Sequence, residues 1–339
     1  MMERKGILAA GNWIIDQVKI VDQYPRQDAL ANIQEQAAFN GGAPYNLLKD
    51  LALMQVSYPL QAIGLVGDDE NGELILHDCR RHGIETSLLQ KTGQASTSYT
   101  DVMTVRNSGR RTFFHYRGAN ALLDQSHFQL EQSKAYIFHL GYLLLLDKLD
   151  ELDPKNRTKA SYLFESAQSQ GFLTSTDVVS EDSDRFEQVV YPSLPFLDIL
   201  FVNEYEAEKI TGIQLKENEK VQIQKAEGCA QKLIEAGINK YVIIHFPEGV
   251  LAMDRQKNVY RQASIRVPGE EIKGTVGAGD AFAAGVLHGI HEQMPIQQCL
   301  KLGVQVAASS LLHAAASNGV VALADLEAKV GQWPFRELA

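Results

Sequence analysis

Cysteine is scarce in this sequence. Its 339 residues include three cysteines, Cys79, Cys229 and Cys299, which lie far apart and form no CxxC pair. A disulfide framework or a zinc knuckle needs more cysteines at closer spacing, so neither is expected. Isolated thiols of this kind are typical of a reducing compartment, and we predict a cytoplasmic location.

Positive charge is also in deficit. Lys and Arg total 32 against 42 Asp and Glu, which gives a formal net charge of −10. So acidic a chain is a poor match for nucleic acid or an anionic membrane surface, and we expect neither as a partner. A small phosphorylated ligand stays compatible with this charge, because a few backbone N–H groups suffice to bind an anion locally.

Long apolar runs are absent as well. The most apolar window, residues 135–146, contains His139 and is shorter than the roughly 20 residues that a membrane span requires. The apolar stretch near the start of the chain is closed by Asp16 and is too short for a signal peptide. We therefore predict neither a membrane segment nor a leader.

Several common catalytic and nucleotide-binding fingerprints are missing. The sequence has no Gly-Lys dipeptide, which excludes a Walker-type phosphate loop, and it has no HExxH or GxSxG motif. The GxGxxG fingerprint fails at its best candidate, because Phe282 takes the third glycine position after Gly277 and Gly279. Any phosphate site must therefore be built in another way.

Strands and helices alternate along most of the chain. Short apolar runs predict strands at 7–10, 60–66, 135–140, 172–176, 198–202 and 241–245. Helical spacing and capping patterns predict helices that start near Pro44 and Glu204 and others at 73–81, 154–170, 219–236, 279–293, 296–315 and 322–331. This alternation predicts one α/β domain over 1–339, with a mostly parallel central sheet flanked by helices on both faces.

Two segments depart from the alternation. The runs 97–105 and 112–116 flank Asn107-Ser108-Gly109 and predict a β-hairpin. Together with 14–38 they predict a small antiparallel sheet that stands off the main body, a β-lid formed by about 14–38 and 97–116. A sheet of so few strands is only marginally stable in water unless it packs against another surface. Its outer face is therefore a candidate homodimer contact.

A glycine-rich segment precedes the helix predicted at 279–293. Residues 274–280 read Gly-Thr-Val-Gly-Ala-Gly-Asp. The first N–H groups of a helix have no intrahelical partner, and with the helix dipole they attract an anion. Asp280 in the first turn is either a plain capping residue or a carboxylate aimed into the same pocket. The second interpretation suits a base that takes a proton from a hydroxyl group while that group attacks a phosphoryl group.

The segment GTVGAGDAFAAG closely resembles the D-T-x-G-A-G-D signature of the ribokinase-like (PfkB) carbohydrate kinases. Further matches follow in the family's order over nearly the whole chain. They are Gly11-Asn12 with Asp16 (G-N-x-x-x-D), Gly41-Gly42-Ala43 with Asn46 (G-G-A-x-x-N), 64–69 with Gly72 (G-x-V-G-x-D-x-x-G), and Asn203 with Glu206 (N-x-x-E). The resemblance implies a ribokinase-like α/β fold with a lid that often mediates dimers, and ATP-dependent phosphorylation of a hydroxymethyl group.

The resemblance also implies roles for individual residues. Asp280 would be the general base, and the backbone of 276–279, with Gly277, Ala278 and Gly279, would form the anion hole. The other roles it implies are sugar binding by Asp16, Gly41, Gly42 and Asn46, recognition of an acidic sugar by Arg117, nucleotide binding by Asn203, Thr275, Gly277 and Gly279, and Mg²⁺ organised through water by Asn203 and Glu206.

Two stretches differ from the family pattern. Gly274 replaces the first Asp of the signature, which weakens the case for the monovalent cation that some relatives carry there. In the usual T-L-G-x-x-G motif, Ile244 replaces the Thr and Phe246 replaces the first Gly. A phenyl ring beside the nucleotide phosphates predicts either a reshaped channel or weak ATP binding.

The leading functional prediction is an ATP- and Mg²⁺-dependent kinase for a ketose, ribose or acidic keto-sugar. A nucleoside kinase of the same family is the alternative, because Trp13, Phe113 and Phe114 in the lid segments could stack on a base. A second alternative is a sugar- or nucleotide-binding protein without turnover, which the altered segment 244–249 favours.

Overall fold

A nine-stranded sheet and a four-stranded sheet organise the chain in the computed structural model, which describes residues 4–218, 220–313 and 315–338. The strands are β1 (Ile7–Gly11), β2 (Ile14–Val21), β3 (Ile33–Gly41), β4 (Leu60–Gly67), β5 (Glu85–Thr92), β6 (Ser98–Val105), β7 (Arg111–Tyr116), β8 (Ile137–Leu143), β9 (Leu173–Val178), β10 (Ile199–Asn203), β11 (Lys216–Glu217), β12 (Lys220–Val221), β13 (Tyr241–Phe246), β14 (Gly249–Asp254) and β15 (Val259–Ala263). The large sheet has the order β15-β14-β13-β10-β9-β8-β1-β4-β5, and β11 and β12 form a separate short pair. Its strands from β13 to β5 are parallel, and β14 and β15 add an antiparallel edge.

Helices cover both faces of the large sheet. They are α1 (Ala43–Leu53), α2 (Glu70–Arg81), α3 (Asp147–Asp150), α4 (Lys159–Ser169), α5 (Phe186–Val190), α6 (Glu204–Thr211), α7 (Ile223–Glu235), α8 (Ala278–His291), α9 (Ile296–Ser310) and α10 (Leu323–Val330), with short 3₁₀ helices at Gly118–Leu122, Gln125–His127, Leu130–Gln132 and Tyr191–Phe196. The predicted fold class, a ribokinase-like α/β sheet with a small lid, is confirmed.

Side-chain alternation along each strand splits the core into two clusters. In β1, Leu8 and Ala10 point to the face covered by α4, α6 and α7, whereas Ile7 and Ala9 point to the face covered by α1, α8 and α9. A strand buried on both faces reads as a continuous apolar run, which is why these strands were visible in the sequence. No described helix is long and apolar enough to cross a membrane.

The four-stranded sheet is the predicted lid, with the order β3-β2-β6-β7. Its two hairpins, β2–β3 and β6–β7, are antiparallel as expected. The hairpins join through a parallel pairing of β2 with β6, which the sequence pattern did not predict.

Some element boundaries differ from the predicted ones. The helix predicted over 154–170 begins at Lys159, because Thr158 caps it by accepting a hydrogen bond from Ser161 N at 3.1 Å. The helix predicted over 219–236 spans Ile223–Glu235, and the one predicted over 296–315 ends at Ser310. Residues 1–3, 219, 314 and 339 lie outside the described residues, and the single domain over 1–339 stays a prediction.

Candidate active site

Polar side chains gather at the carboxyl edge of the large sheet. Asn12 follows β1, while Tyr142, Asp177, Asn203 and His245 lie at or near the ends of β8, β9, β10 and β13. The chain moves from β1 to β4 on one side and later fills β8 on the other, so a topological switch point lies beside β1. Ligands of open α/β sheets bind at such a point.

A cavity of about 470 Å³ opens at this edge, between the N-terminus of α8 and the lid. We call it the inner cavity. The lid supplies Thr100, Phe113 and His115, and the sheet supplies Asn12, Tyr142 and Asp177. Eight of the predicted site residues line it: Asp16, Gly42, Asn46, Asn203, Glu206, Gly277, Gly279 and Asp280.

The N-terminus of α8 is built as the glycine pattern predicted. Gly277 caps the helix with φ 77°, and a Cβ there would lie 2.7 Å from the Cβ of Ala316, so only glycine fits. The first intrahelical bond runs from Ala281 N to Gly277 O. The N–H groups of Ala278, Gly279 and Asp280 therefore have no intrahelical acceptor and are available to an anion.

Asp280 is held by two donors inside the inner cavity. Its Oδ2 accepts a hydrogen bond from Asn46 Nδ2 at 2.7 Å, and its Oδ1 accepts one from the Tyr142 hydroxyl at 2.8 Å. Burial, and then the negative charge of Asp177, raises the pKa of Asp280 to about 7, against the lowering effect of those two bonds. A carboxyl group with a pKa near neutrality and a fixed orientation has the properties of a general base.

Asp16 approaches the inner cavity from β2. Burial raises the pKa of Asp16 to about 7. A Cβ at Gly41 would overlap the Asp16 carboxylate, so glycine at this position leaves room for it. Gly41 thus lies behind Asp16 and does not line the inner cavity.

Several buried polar atoms around the inner cavity have no hydrogen-bond partner among the described residues. They are Asn12 Nδ2 and Oδ1, Asn46 Oδ1, Asp177 Oδ1 and His115 Nε2. Leaving a buried donor or acceptor unpaired costs about 1–3 kcal/mol. A ligand rich in hydroxyl groups suits such a mixed set of donors and acceptors, because each hydroxyl both donates and accepts.

Asn203 and Glu206 form a capping box at the start of α6. Asn203 Oδ1 accepts from Glu206 N at 2.9 Å, and Glu206 Oε2 accepts from Asn203 N at 2.8 Å. The other Glu206 oxygen accepts from the Ser180 hydroxyl at 2.6 Å, and burial raises the pKa of Glu206 to about 8. No group of three or more His, Cys, Asp or Glu among the described residues could hold a metal ion directly, so Asn203 and Glu206 fit a Mg²⁺ ion only through its water ligands.

A second cavity, the outer cavity, of about 410 Å³ meets the inner one. Asn203, His245 and Gly279 line both cavities. Its wall includes predicted Thr275 and Ala278 as well as an apolar surface formed by Phe282, Val304, Ala307, Ala308 and Leu311. The cavities thus join at the N-terminus of α8, an arrangement that suits one ligand on each side of the anion hole.

Three residues singled out in the sequence lie outside the two cavities or also serve the hydrophobic core. Arg117 lines neither cavity, and its guanidinium pairs with Asp147 at 2.8 Å and Glu181 at 3.7 Å. Ile244 is fully buried in the core and also lines neither cavity. Phe246 is 6% exposed and lines the outer cavity while belonging to the core cluster.

Sequence reasoning did not identify several polar residues of the inner cavity as site residues, among them Asn12, His115, Tyr142, Asp177 and His245. A usable signal existed for Asp177, because it directly follows a predicted strand, and carboxyl ends of parallel strands share one edge. His115 carried no such signal, since its placement depends on how the lid docks.

Comparisons with known proteins give a family match and similar curated sequences. A family model described as pfkB family carbohydrate kinase matches residues 4–322. An uncharacterized sugar kinase of Archaeoglobus fulgidus is 24% identical over 80% of the chain and 98% of its own length, and a probable fructokinase of Arabidopsis thaliana is 27% identical over 76% and 71%.

Solved structures share the fold at low identity. A ribokinase from Thermotoga maritima superposes with a TM-score of 0.77 at 18% identity, covering 97% of this chain and 100% of its own. An Arabidopsis thaliana ribokinase complexed with ribose and ATP superposes with a TM-score of 0.75 at 19% identity, covering 97% and 99%.

Proposed function

The chain belongs to the pfkB family of carbohydrate kinases, and we propose that it transfers the γ-phosphoryl group of ATP to a hydroxymethyl group of a small neutral sugar. One observation carries the proposal. Asp280, held by Asn46 and Tyr142, lies at the N-terminus of α8 where the two cavities meet. The inner cavity would hold the sugar and the outer cavity the nucleotide.

The chemistry follows from this placement. The sugar hydroxyl oxygen bonds to the γ-phosphorus, the bond from that phosphorus to the bridging oxygen breaks, and ADP leaves. Asp280 takes the hydroxyl proton, and the free N–H groups at the start of α8 stabilise charge on the transferring group. Asn203 and Glu206 would hold Mg²⁺ through water, and the bound ion would offset phosphate charge.

The lining of the inner cavity favours a neutral sugar over an acidic one. Among the described residues that line it there is no Lys or Arg, and the carboxyl groups are Asp16, Asp177, Glu206 and Asp280. Burial lowers the pKa of both His115 and His245 to about 4, so neither supplies a positive charge near pH 7. A carboxylate on the substrate would therefore find no cationic side chain in this lining to offset its charge.

Asp16→Ala and Asn46→Ala should raise the KM for the sugar by roughly 5- to 150-fold, because each removes a hydrogen bond of about 1–3 kcal/mol. The KM for ATP should stay nearly unchanged. Steady-state kinetics with either substrate varied measures both constants. Asp101→Ala is the matched control, since Asp101 lies on the neighbouring lid strand and lines neither cavity. Equal losses for sugar and ATP would assign Asp16 and Asn46 a structural role.

A nucleoside as acceptor is the second candidate. Phe113 is half exposed and lines the inner cavity, where its ring could stack on a base. The other two candidate rings do not line it: Trp13 is fully buried, and Phe114 lies on a different groove. ADP release measured over a panel of ketoses, ribose, acidic keto-sugars and nucleosides separates these candidates. No release with any of them, despite ligand binding, would favour a binding protein without turnover.

The kcat/KM for the sugar should rise with pH to a plateau above about pH 8. Asp280 must be ionised to accept a proton, and its pKa is raised to about 7 in the free enzyme. A pH–rate profile tests this, and a flat profile between about pH 5.5 and 8.5 would exclude Asp280 as the titrating base.

The contribution of Asp280 to the free energy of unfolding should fall as pH rises, whereas kcat/KM rises. Burial raises the folded-state pKa of Asp280 above its ordinary value, so the folded state binds the proton more tightly than the unfolded one. Its contribution therefore falls as pH rises from about 4 to 7. Denaturant unfolding of the wild type and Asp280→Asn across this range should show a weaker decline in the variant.

The lid should mediate a homodimer. Its outer face exposes Tyr24, Ile33 and Phe114, which line a groove with Val21 and Met103. Phe114→Asp should convert the dimer into a monomer, because a charge at the centre of an apolar contact is not paired. Sedimentation velocity at micromolar concentration tests this, with Leu74→Asp on α2 as the exposed apolar control. A monomeric wild type would refute the lid dimer.

A further inference from the structure

Arg336 lies in the segment after α10, and its side chain lines the outer cavity. The segment is fixed beside the end of β15. Arg336 N donates to Ser264 O at 2.7 Å, and Phe335 forms an antiparallel bridge with Ile265. The backbone that carries the guanidinium is therefore held against Ser264 and Ile265, which also line the outer cavity.

The guanidinium itself is incompletely paired. Its Nε is buried and has no hydrogen-bond partner among the described residues. An arginine donor left in this state costs free energy unless a ligand accepts from it. A phosphate oxygen is a matched acceptor, because the planar guanidinium can donate two parallel bonds to it.

The charges around the two cavities point to the same acceptor. Among the described lining residues, the carboxyl groups are Asp16, Asp177, Glu204, Glu206 and Asp280, and Arg336 is the only Lys or Arg. Two further cations, Arg111 and Lys273, line a separate shallow groove at the mouth. A polyphosphate entering so acidic a site gains most from the one cation inside it.

The position of Arg336 separates it from the surface suited to a base. The apolar wall of the outer cavity comes from α8 and α9, through Phe282 and Val304 among others. Arg336 lies instead by the β13–β14 turn, where Ser264 N donates to Glu248 O. In this chain Phe246 and the turn that follows it take the place of the Gly-containing segment that borders the nucleotide phosphates in the family pattern.

We infer that Arg336 binds the phosphate chain of the nucleotide and takes over the contact that the Phe246 segment has lost. This inference rests on the proposed kinase function. It assigns to a residue outside every matched family motif a direct part in nucleotide affinity.

Calorimetric titration of the purified full-length chain tests the assignment. Adenosine, AMP, ADP and ATP, with Mg²⁺ for the last two, are titrated into wild type, Arg336→Met, Arg336→Lys and the control Lys329→Met. Lys329 lies exposed on α10 and lines neither cavity. Arg336→Met should weaken ATP binding by roughly 10- to 150-fold, equivalent to about 1.5–3 kcal/mol, and leave adenosine affinity unchanged. Arg336→Lys should fall between the two, and Lys329→Met should match wild type. Circular dichroism and thermal unfolding verify that each variant is folded.

The series also shows where the contact lies, because the first added phosphate at which wild type and Arg336→Met diverge is the one that Arg336 contacts. Equal weakening for adenosine and ATP would overturn the phosphate assignment and place Arg336 against the base. If ATP affinity is unchanged in Arg336→Met but lost in Lys273→Met, the phosphate contact belongs to Lys273 in the groove at the mouth instead. Either result leaves the kinase proposal intact, whereas a wild type that binds no nucleoside phosphate overturns both.

Discussion

Asp280→Asn should lower kcat by on the order of 10²–10⁴, the usual contribution of a positioned general base. Asparagine matches the shape of the carboxylate but cannot take the proton of the attacking hydroxyl. Its side-chain oxygen can still accept from Asn46 or Tyr142, so the local packing is retained. Single-turnover phosphoryl transfer measures the loss, and calorimetry should show ATP affinity within a few-fold of wild type.

Tyr142→Phe is the control that separates proton transfer from orientation. It removes one donor to Asp280 and leaves the carboxylate in place. Because that hydrogen bond opposes the rise in the pKa of Asp280, its loss should shift the pH–rate profile to higher pH. It should reduce kcat far less than Asp280→Asn does. Near wild-type turnover in Asp280→Asn would return Asp280 to the role of a plain capping residue.

The site could be predicted from sequence where local backbone chemistry determines it. Gly277 gives the capping conformation and the free N–H groups from a short segment alone, and Asp280 is placed by its position in the first turn of α8. Asn203 and Glu206 form a local capping box for the same reason.

Residues whose positions depend on distant parts of the chain were less accessible to sequence reasoning. The family resemblance implied that Arg117 recognises an acidic sugar, but its guanidinium pairs with Asp147 and Glu181, which lie far along the chain. His115 reaches the inner cavity only because β6 pairs with β2 in parallel, and that pairing has no short-range pattern. The edge strands β14 and β15 were likewise unassigned.

Phe246 is another residue whose role depends on contacts with distant parts of the chain. The family pattern has a glycine beside the phosphates where this chain has the phenyl ring of Phe246, and the ring does line the outer cavity. It is also packed in the core cluster with Leu251 and Met253. In β13 it lies two residues after Ile244 and therefore faces the same core layer.

Phe246→Ala should consequently lower the free energy of unfolding by about 3–5 kcal/mol, the usual cost of truncating a buried phenyl group. Urea denaturation of the unliganded protein measures the loss. Phe246→Leu keeps most of the volume and should cost well under half as much. A loss below about 1 kcal/mol for Phe246→Ala would show that the ring contributes little to the core.

The same variant tests whether the ring obstructs the nucleotide. Pro247 and Gly249 of this turn already line the outer cavity. With the phenyl group gone, the backbone at position 246 gains access to it, and a regained contact to a charged phosphate would stabilise the complex by about 1.5–3 kcal/mol. ATP should therefore bind Phe246→Ala about 10-fold or more tightly, while the KM for the sugar stays the same. Calorimetry below the unfolding transition separates this gain from the loss of stability. Unchanged or weaker ATP binding would mean that the ring only packs beside the channel. In that case Phe246 costs no phosphate contact, and Arg336 does not replace one.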